Sequence, residues 1–183
     1  MRPHLSAGEI NLSASFSLPY ISLYDYEEAV KYAVHSMKFH DRKENGAIMG
    51  KLLGENEEIC RFLWGADCIA AVPISRKRKA DRGYNQSKLI AKTLAEHCHL
   101  PYENLLEKHV DNEEQSVLPR KERLENVIGV YRKIKKADVR GKTVALVDDI
   151  ITTGATINAC AEVLYQAGAG RVIAVAFAHS KLS

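Results

Sequence analysis

The sequence predicts a single α/β domain with a mostly parallel central sheet flanked by helices. Three short apolar runs, at 67–74, 143–147 and 171–177, are nearly continuous, which is typical of strands buried on both faces. Segments in which apolar residues recur at helical spacing lie between these runs. Alternating strands and helices favour parallel pairing, and a length of 183 residues suits one domain.

The other elements are predicted from the same patterns. Residues 1–18 are rich in serine and show little periodicity, so we expect a poorly ordered N-terminal arm ahead of a domain over 19–183. Further strands are predicted at 19–25, 104–110 and 127–134. The predicted helices are 26–37, 47–55, 56–64, 86–97, a segment from Pro119, and 156–170. The first three helices make a helical N-terminal segment that covers one side of the sheet.

Composition limits the kinds of partner. The net charge of +3 and the pI near 8.6 suit an anionic small ligand and do not by themselves indicate a nucleic-acid-binding protein. None of the four cysteines, Cys60, Cys68, Cys98 and Cys160, belongs to a C-x-x-C pair, so we expect buried free thiols in a reducing compartment. No apolar stretch approaches the roughly 20 residues of a membrane span, so a cytoplasmic protein is expected.

The segment LVDDIITTGAT (146–156) carries the clearest chemical signal. It lies between a buried strand and a helix predicted to begin near Thr156, where sheets of this class bind ligands. Unpaired backbone N–H groups and the helix dipole attract anions at such a helix start. Thr152 and Thr153 add hydroxyl donors, and Gly154 lets the backbone approach a ligand closely. The pattern therefore predicts a phosphate-binding turn.

Two adjacent carboxylates, Asp148 and Asp149, precede this turn. They would repel a phosphate unless they face another group. Two neighbouring acceptors suit a vicinal diol, such as the ribose 2′- and 3′-hydroxyls, or the coordination shell of Mg²⁺. A phosphate on one side and a diol on the other describe a ribose 5-phosphate. A solvated strand-to-helix turn is the alternative interpretation, and the complete pattern favours the ligand.

Three segments of the sequence resemble a known family. ALVDDIITTGAT (145–156) resembles the 5-phosphoribosyl 1-pyrophosphate (PRPP) motif of type I phosphoribosyltransferases. VPISRKRKADRGYNQSKLIAKTLA (72–95) and QSVLPRKERLENVIGVY (115–131) resemble the ComF family, the competence-protein branch of this fold. The resemblance runs from about Tyr24 to His179. Many ComF members also carry an N-terminal cysteine-rich zinc module. This sequence departs from that pattern, because residues 1–59 contain no cysteine.

The resemblance implies a phosphoribosyltransferase type I-like fold, a mobile flap over 111–127 and a set of ligand contacts. The residues implied to hold the 5′-phosphate are Ile151, Thr152, Thr153, Gly154, Ala155 and Thr156. Those implied to bind pyrophosphate are Ile74, Ser75, Arg76 and Lys77. Asp148 and Asp149 would meet the ribose hydroxyls and bind Mg²⁺, which would bridge ribose and pyrophosphate. Arg120 or Arg123 of the flap would stabilise charge on the leaving pyrophosphate, unless this segment is an ordinary exposed loop.

Two functions are compatible with these residues. The first is a PRPP-binding phosphoribosyltransferase that displaces pyrophosphate at ribose C1′ with Mg²⁺, and its acceptor is not identified. Phe177 is the candidate for stacking on an acceptor base. The second is a non-catalytic PRPP-sensing or DNA-uptake accessory protein that binds single-stranded DNA. The basic run at 76–82 suits pyrophosphate or nucleic-acid phosphates, or it is a solvated face. The oligomeric state stays open, a homodimer included.

Overall fold

A computed structural model of the chain describes residues 3–13, 16–39, 43–109 and 129–180. Its strands are β1 (Ser6–Ser13), β2 (Phe16–Asp25), β3 (Cys68–Ala71), β4 (Leu106–Lys108), β5 (Tyr131–Lys133), β6 (Thr143–Ile151) and β7 (Arg171–His179). Its helices are α1 (Glu28–Phe39), α2 (Glu44–Gly54), α3 (Glu57–Phe62), α4 (Arg76–Arg82), α5 (Gln86–His97) and α6 (Ala155–Gln166). Among these helices, none is long and apolar enough to cross a bilayer.

Five strands form the central sheet in the order β1-β2-β7-β6-β3. The pairs β2–β7, β7–β6 and β6–β3 are parallel, and only β1 runs antiparallel to its neighbour. A second, two-stranded sheet pairs β4 with β5. The predicted α/β class with a mostly parallel sheet is confirmed, as is the helical N-terminal segment, which comprises α1, α2 and α3.

The central sheet has an apolar core on each face, which explains its continuous apolar strands. Ala145 and Val147 of β6 pack with α2, α3 and α5 in one core. Val144 and Leu146 point the other way, into the core that contains α6 and the β4–β5 sheet. Because successive strand residues face opposite sides, a strand covered on both sides must be apolar at every position. The apolar run at 143–147 follows from this burial.

The N-terminal residues differ from the expectation of a poorly ordered arm. Ser6–Ser13 form β1, which pairs with β2 from Ser6 opposite Ser22 to Ser13 opposite Phe16. An edge strand is held by backbone hydrogen bonds on one side, so it needs neither a long apolar run nor strict alternation. The serine-rich composition of β1 therefore gave no strand pattern in the sequence. The prediction of a poorly ordered arm is corrected for Ser6–Ser13.

Helix α2 lies unusually close to α5, the helix that reaches the candidate site. Gly46, Gly50 and Gly54 recur every four residues on α2 and face α5. A Cβ atom at Gly50 would lie 2.6 Å from the carbonyl oxygen of Ile90, and one at Gly54 would lie 2.4 Å from Cβ of His97. Only glycine permits this approach, which fixes the position of α5 against the N-terminal helices.

Two boundaries near the predicted ligand contacts differ from expectation. Strand β6 continues to Ile151, four residues beyond the predicted end, because its parallel pairing with β7 continues to Ile151 opposite His179. The basic segment Arg76–Arg82, expected to contain a pyrophosphate loop, is helix α4, which Ser75 caps at its N-terminus. The predicted flap over 111–127 lies outside the described residues.

Candidate functional site

The acidic pair lies near the carboxyl end of β6, at the centre of the parallel part of the sheet. Asp148 is half-buried, and Asp149 is buried with 8% of its surface exposed. The carboxylate of Asp149 is therefore largely shielded from solvent. Adjacent strand residues point to opposite faces, so the two carboxylates cannot occupy equivalent environments.

Asp148 is held in place by two hydrogen bonds to the same oxygen. The hydroxyl of Ser87 donates to Asp148 Oδ1 over 2.8 Å, and the backbone N–H of Asp149 donates to that oxygen over 2.9 Å. Ser87 lies in the first turn of α5 and is only 3% exposed. A buried donor and a backbone donor thus fix the carboxylate at the strand end.

Asn85 anchors the start of α5 to the strand next to β6. Its side-chain oxygen accepts a hydrogen bond from the backbone N–H of Lys88, and its side-chain nitrogen donates to the carbonyl of Val72 over 2.9 Å. Val72 follows β3 directly. Asn85 therefore caps α5, and the same side chain brings Ser87 to the end of the sheet.

The predicted phosphate-binding turn connects β6 to α6 over Ile151–Thr156. Thr152 and Thr156 are exposed, Thr153 is half-buried, and the hydroxyl of Thr153 accepts a hydrogen bond from the backbone N–H of Ala155 over 3.3 Å. Gly154 is the residue before the helix and has a φ of +77°. The backbone N–H groups of the first turn of α6 therefore follow a left-handed residue, with exposed threonine hydroxyls on both sides.

Strand β1 packs directly on this turn. A Cβ atom at Gly154 would lie 2.8 Å from Cγ2 and 3.0 Å from Cδ1 of Ile10. Glycine is thus required at position 154 for two reasons, the left-handed backbone and the space occupied by Ile10. The N-terminal strand covers one side of the turn that is predicted to bind phosphate.

Tyr131 of β5 lies next to the same turn and to Asp148. Burial raises the pKa of the Tyr131 phenol, and the negative charge of Asp148 raises it further, while a hydrogen bond with the Thr156 side chain acts in the opposite direction. The phenol therefore stays neutral at physiological pH and can donate or accept a hydrogen bond there.

The residues predicted to bind pyrophosphate lie at the beginning of α4. Ser75 is buried and accepts a hydrogen bond from the backbone N–H of Arg78, so it serves as a helix cap. Arg76 and Lys77 are exposed in the first turn of α4. At the other end of α4, burial and the charge of Arg78 lower the pKa of Arg82, and the charge of Asp149 partly offsets this decrease.

A cationic cavity of about 430 Å³ lies between α4, α5 and the β4–β5 sheet. Its basic lining residues are Arg76, Lys79, Lys88, Lys92 and Lys108. The ammonium groups of Lys88 and Lys92 lie 5.7 Å and 5.8 Å from the centre of the Tyr102 ring. Burial, and then the charges of Lys92 and Lys79, lower the pKa of Lys88. An anion in this cavity would relieve the repulsion among these ammonium groups.

Comparison with known proteins identifies the family. Residues 83–182 match the family described as the phosphoribosyl transferase domain. The chain belongs to this family. The DNA utilization protein YhgH of Salmonella typhi is 30% identical to this chain over 156 residues, which cover 83% of this chain and 68% of that protein. Competence protein F of Haemophilus influenzae is 34% identical over 104 residues, covering 56% of this chain and 45% of that protein.

The predicted membership of the ComF branch is therefore confirmed. Among solved structures, the glutamine phosphoribosylpyrophosphate amidotransferase of B. subtilis is similar, with 25% identity and a TM-score of 0.48 over 71% of this chain and 25% of that one. Family membership follows from the sequence matches alone. The type I phosphoribosyltransferase fold class agrees with it and with the mostly parallel sheet.

This phosphoribosyl transferase domain brings some of the predicted site residues together and separates others. The end of β6 and the following turn place Asp148, Asp149 and Ile151–Thr156 in one continuous segment. Arg120 and Arg123 lie outside the described residues. Phe177 is buried in the core with its ring centre 5.0 Å from that of Tyr24, so it is not available to stack on an acceptor.

Sequence reasoning missed Ser87 as a member of the site. The signal was present in the segment RGYNQS (82–87), where the serine falls in the first turn of the helix that Asn85 begins. Its role could not be read from the sequence, because its partner Asp148 is 61 positions away. Within the described residues, no group of three or more histidine, cysteine or acidic side chains could hold a metal ion.

Proposed function

We propose that the chain binds PRPP, or another ribose 5-phosphate ligand, at the carboxyl end of β6 and acts as a phosphoribosyltransferase. The observation that carries this proposal is the continuous segment from Asp148 to Thr156, in which a fixed carboxylate is followed by a helix N-terminus and exposed hydroxyls. The family match supports the same ligand class. The ribose and the 5′-phosphate each have a chemically suitable partner in this segment.

The 5′-phosphate is assigned to the turn over Ile151–Thr156. The unpaired N–H groups in the first turn of α6 and the positive end of the helix dipole favour a dianion there. Thr152 and Thr156 are exposed and can add hydroxyl donors. The ribose 2′- and 3′-hydroxyls are assigned to Asp148 and Asp149, whose carboxylates accept hydrogen bonds.

Magnesium fits these residues as a ligand-dependent cofactor. Protein sites for Mg²⁺ commonly supply one or two carboxylates, and substrate phosphates and water complete the octahedral shell. Asp148 and Asp149 are two such carboxylates, and Asp148 Oδ1 is already oriented by Ser87. When bound, Mg²⁺ would offset the negative charge of the pyrophosphate group. The described residues hold no larger acidic or histidine cluster that would bind it without substrate.

The proposed reaction exchanges one bond at ribose C1′ for another. The bond between C1′ and the pyrophosphate oxygen breaks, and its electron pair leaves with pyrophosphate. A lone pair of the acceptor forms the new bond to C1′, and the acceptor releases a proton if it attacked as N–H. The chain's contribution is to position the ribose through Asp148 and Asp149 and to stabilise the departing charge with cations. Arg120, Arg123 and the cations of α4 are the candidates for this role.

The cationic cavity and the names of relatives favour a second function, in DNA uptake or PRPP sensing. The cavity lined by Lys79, Lys88 and Lys92 continues onto the exposed basic face of α4, which would suit the phosphates of a single-stranded nucleic acid. Relatives carry the names DNA utilization protein and competence protein. In this alternative the chain senses PRPP or assists DNA uptake without turnover.

A thermal melt with separate ligands tests the first proposal. PRPP with Mg²⁺ at about a hundred times its dissociation constant should stabilise the fold by roughly 2.7 kcal/mol, a rise in Tm of about 5–10 °C. Ribose 5-phosphate and pyrophosphate are measured separately. The shift should persist in Glu162→Gln, which neutralises an exposed carboxylate on α6, and disappear in Asp148→Asn with Asp149→Asn. The absence of a shift with all three ligands would contradict the proposal.

Turnover and oligomeric state need separate measurements. Release of pyrophosphate in the presence of a panel of purines, pyrimidines and amines would support the enzyme, and binding of PRPP without release would support the sensing role. Salt-dependent binding of a single-stranded oligonucleotide would support the second function. Light scattering distinguishes a monomer from a homodimer. We place the protein in the cytoplasm on the basis of its four free cysteines.

A further inference from the structure

Two cysteines that are distant in the sequence meet at the far end of α5. Cys60 lies in α3, and Cys98 is the residue that ends α5. Their sulfur atoms are 3.8 Å apart although 38 positions separate the residues. Ser87 is in the first turn of α5, so the pair lies about 16 Å along the helix from the residue that positions Asp148. The pair is therefore distinct from the proposed ligand site.

The thiol pair is accessible from solvent, unlike the other two cysteines. Cys60 and Cys98 are both half-buried and line one open cavity of about 630 Å³, whose rim includes Trp64. Cys68 and Cys160 are fully buried. All four thiols are free, and a small oxidant could therefore reach only the first two in the folded chain.

Metal binding does not explain the pair. The described residues contain no group of three histidine, cysteine or acidic side chains that could hold a metal. His97 lines the same cavity, but its Nδ1 atom lies 3.0 Å from the carbonyl oxygen of Thr93 in its own helix. Two thiols without a third ligand are a poor zinc site, because structural zinc takes four.

We propose that Cys60 and Cys98 are a redox site that forms a reversible intramolecular disulfide. The S–S bond length is about 2.0 Å, so the two sulfur atoms need to approach by less than about 2 Å. Cys98 stands where α5 ends, and His99 after it has a φ of +53°, so the backbone leaves the helix at this point. Closing the bond would also release the hydrogen bond of 3.1 Å that the Cys60 thiol donates to the carbonyl of Gly54.

A low-molecular-weight disulfide such as oxidised glutathione supplies the oxidising equivalents. The Cys60 thiolate attacks one glutathione sulfur, forms a mixed disulfide and expels one glutathione thiolate. The Cys98 thiolate then attacks the Cys60 sulfur and expels the second. Two protein thiols are oxidised, one S–S bond of glutathione is reduced, and the two protons are taken by the departing thiolates.

The environment of Cys98 sets the order of these steps. Burial, together with the charge of Cys60 and a hydrogen bond to it, raises the pKa of Cys98 to about 12. Cys98 therefore stays protonated near neutral pH, and the thiolate is the reactive form. We expect Cys60 to react first and the overall rate to increase as the pH rises.

Peptide mapping of the native full-length chain tests the proposal directly. The chain is incubated with oxidised glutathione, the remaining thiols are alkylated, and the protein is digested with trypsin. Cleavage after Arg61 separates Cys60 from Cys68, so a linked pair of peptides 52–61 and 93–108 identifies the predicted bond. Reduction should restore two separate peptides. Separate glutathione adducts without this link, or a bond to Cys68, to Cys160 or between chains, would overturn the proposal.

Single-cysteine variants and thermal melts supply the control. Cys60→Ser and Cys98→Ser should each form no linked peptide, and Cys98→Ser should stop at the glutathione mixed disulfide on Cys60. The oxidised parent should melt about 5–15 °C higher than the reduced parent, because the crosslink restricts the unfolded chain. Emission of Trp64, the only tryptophan in the chain and 87% exposed, should fall on oxidation because disulfides quench indole fluorescence. A crosslinked form that melts below the reduced form would show that the native geometry does not accommodate the bond.

Discussion

The hydroxyl of Ser87 donates a hydrogen bond of 2.8 Å to Oδ1 of Asp148, which joins the beginning of α5 to the carboxyl end of β6. This contact orients a carboxylate that is assigned to the ribose. If the proposed assignment holds, ligand binding depends on a side chain that does not itself touch the ligand.

Replacement of Ser87 by alanine should weaken PRPP binding and leave the fold intact. Hydrogen bonds to charged groups contribute about 1.5–3 kcal/mol, so we expect a loss of affinity of about tenfold or more. Calorimetric titration with PRPP and Mg²⁺ measures it. Ser36→Ala is the matched control, since Ser36 is equally buried but donates to the carbonyl of Ala33 in α1. Equal affinities in the two variants would refute a positioning role for Ser87.

The two aspartates should differ in their effect on stability. Asp149 is buried and its charge acts on Arg82, whereas Asp148 is half-buried. Asp149→Asn should therefore cost about 1 kcal/mol more than Asp148→Asn, a further decrease in Tm of about 2–4 °C. Thermal melts without ligand measure the difference. A larger decrease for Asp148→Asn would contradict the assigned environments.

Alanine at Gly154 should be more destabilising than alanine at Gly83. Both glycines have a left-handed backbone, with φ of +77° and +74°, which costs other residues about 1–2 kcal/mol. A Cβ at Gly83 would meet nothing within 4 Å, while one at Gly154 would lie 2.8 Å from Ile10. Denaturant unfolding of the two variants measures how much more Gly154→Ala destabilises the fold than Gly83→Ala does. The same measurement on Gly154→Ala combined with Ile10→Ala tests the contact with β1. If Ile10→Ala does not reduce this additional destabilisation, β1 does not constrain the turn.

Neutralising the cationic cavity should weaken nucleic-acid binding if the second function holds. Lys88→Gln with Lys92→Gln removes two ammonium groups from the cavity. The measurement is the slope of log K against log salt concentration for a single-stranded oligonucleotide. Its magnitude should decrease by about 0.7 for each phosphate that the protein no longer neutralises. Lys135→Gln with Lys136→Gln removes two exposed charges outside the cavity as the control. The same slope in both double variants would exclude the cavity as the binding surface.

Stability should decrease as the pH rises above about 9. Burial raises the pKa of Tyr102 to about 12 and, with the charge of Glu103, that of Cys68 to about 11. The unfolded chain loses these protons at lower pH than the folded chain, so the folded state binds more protons between about pH 9 and 12, and its free energy of unfolding falls with pH. Denaturant unfolding at several pH values measures the decrease. Tyr102→Phe should make it shallower, and an unchanged slope would contradict the assignment.

Several features follow from local signals and could be predicted. The buried runs of β3, β6 and β7 were recognisable because strands covered on both faces are apolar at each position. Asn56 and Asn85 were recognisable as helix caps, since a cap acts on backbone groups within three residues. The segment over 148–156 was recognisable because its carboxylates, hydroxyls and glycine are contiguous.

Helix α4 was missed because it has no apolar face. None of its seven residues, all within the described part of the chain, is buried, so hydrophobic spacing cannot reveal it. Its ends carry the signal instead: Ser75 caps its beginning, and Gly83 ends it with a φ of +74°. A search for caps rather than for periodicity would have found this helix.

The sequence by itself determined the α/β class, the family and the contiguous segment 148–156 that we assign to the ligand, because each depends on residues that are neighbours along the chain. The tertiary structure alone decided that β1 joins the sheet, that Ser87 holds Asp148, that Ile10 covers Gly154 and that Cys60 meets Cys98. These contacts join residues that are far apart in the sequence. Their partners are selected by how the two cores pack on the sheet, and no local pattern records that choice.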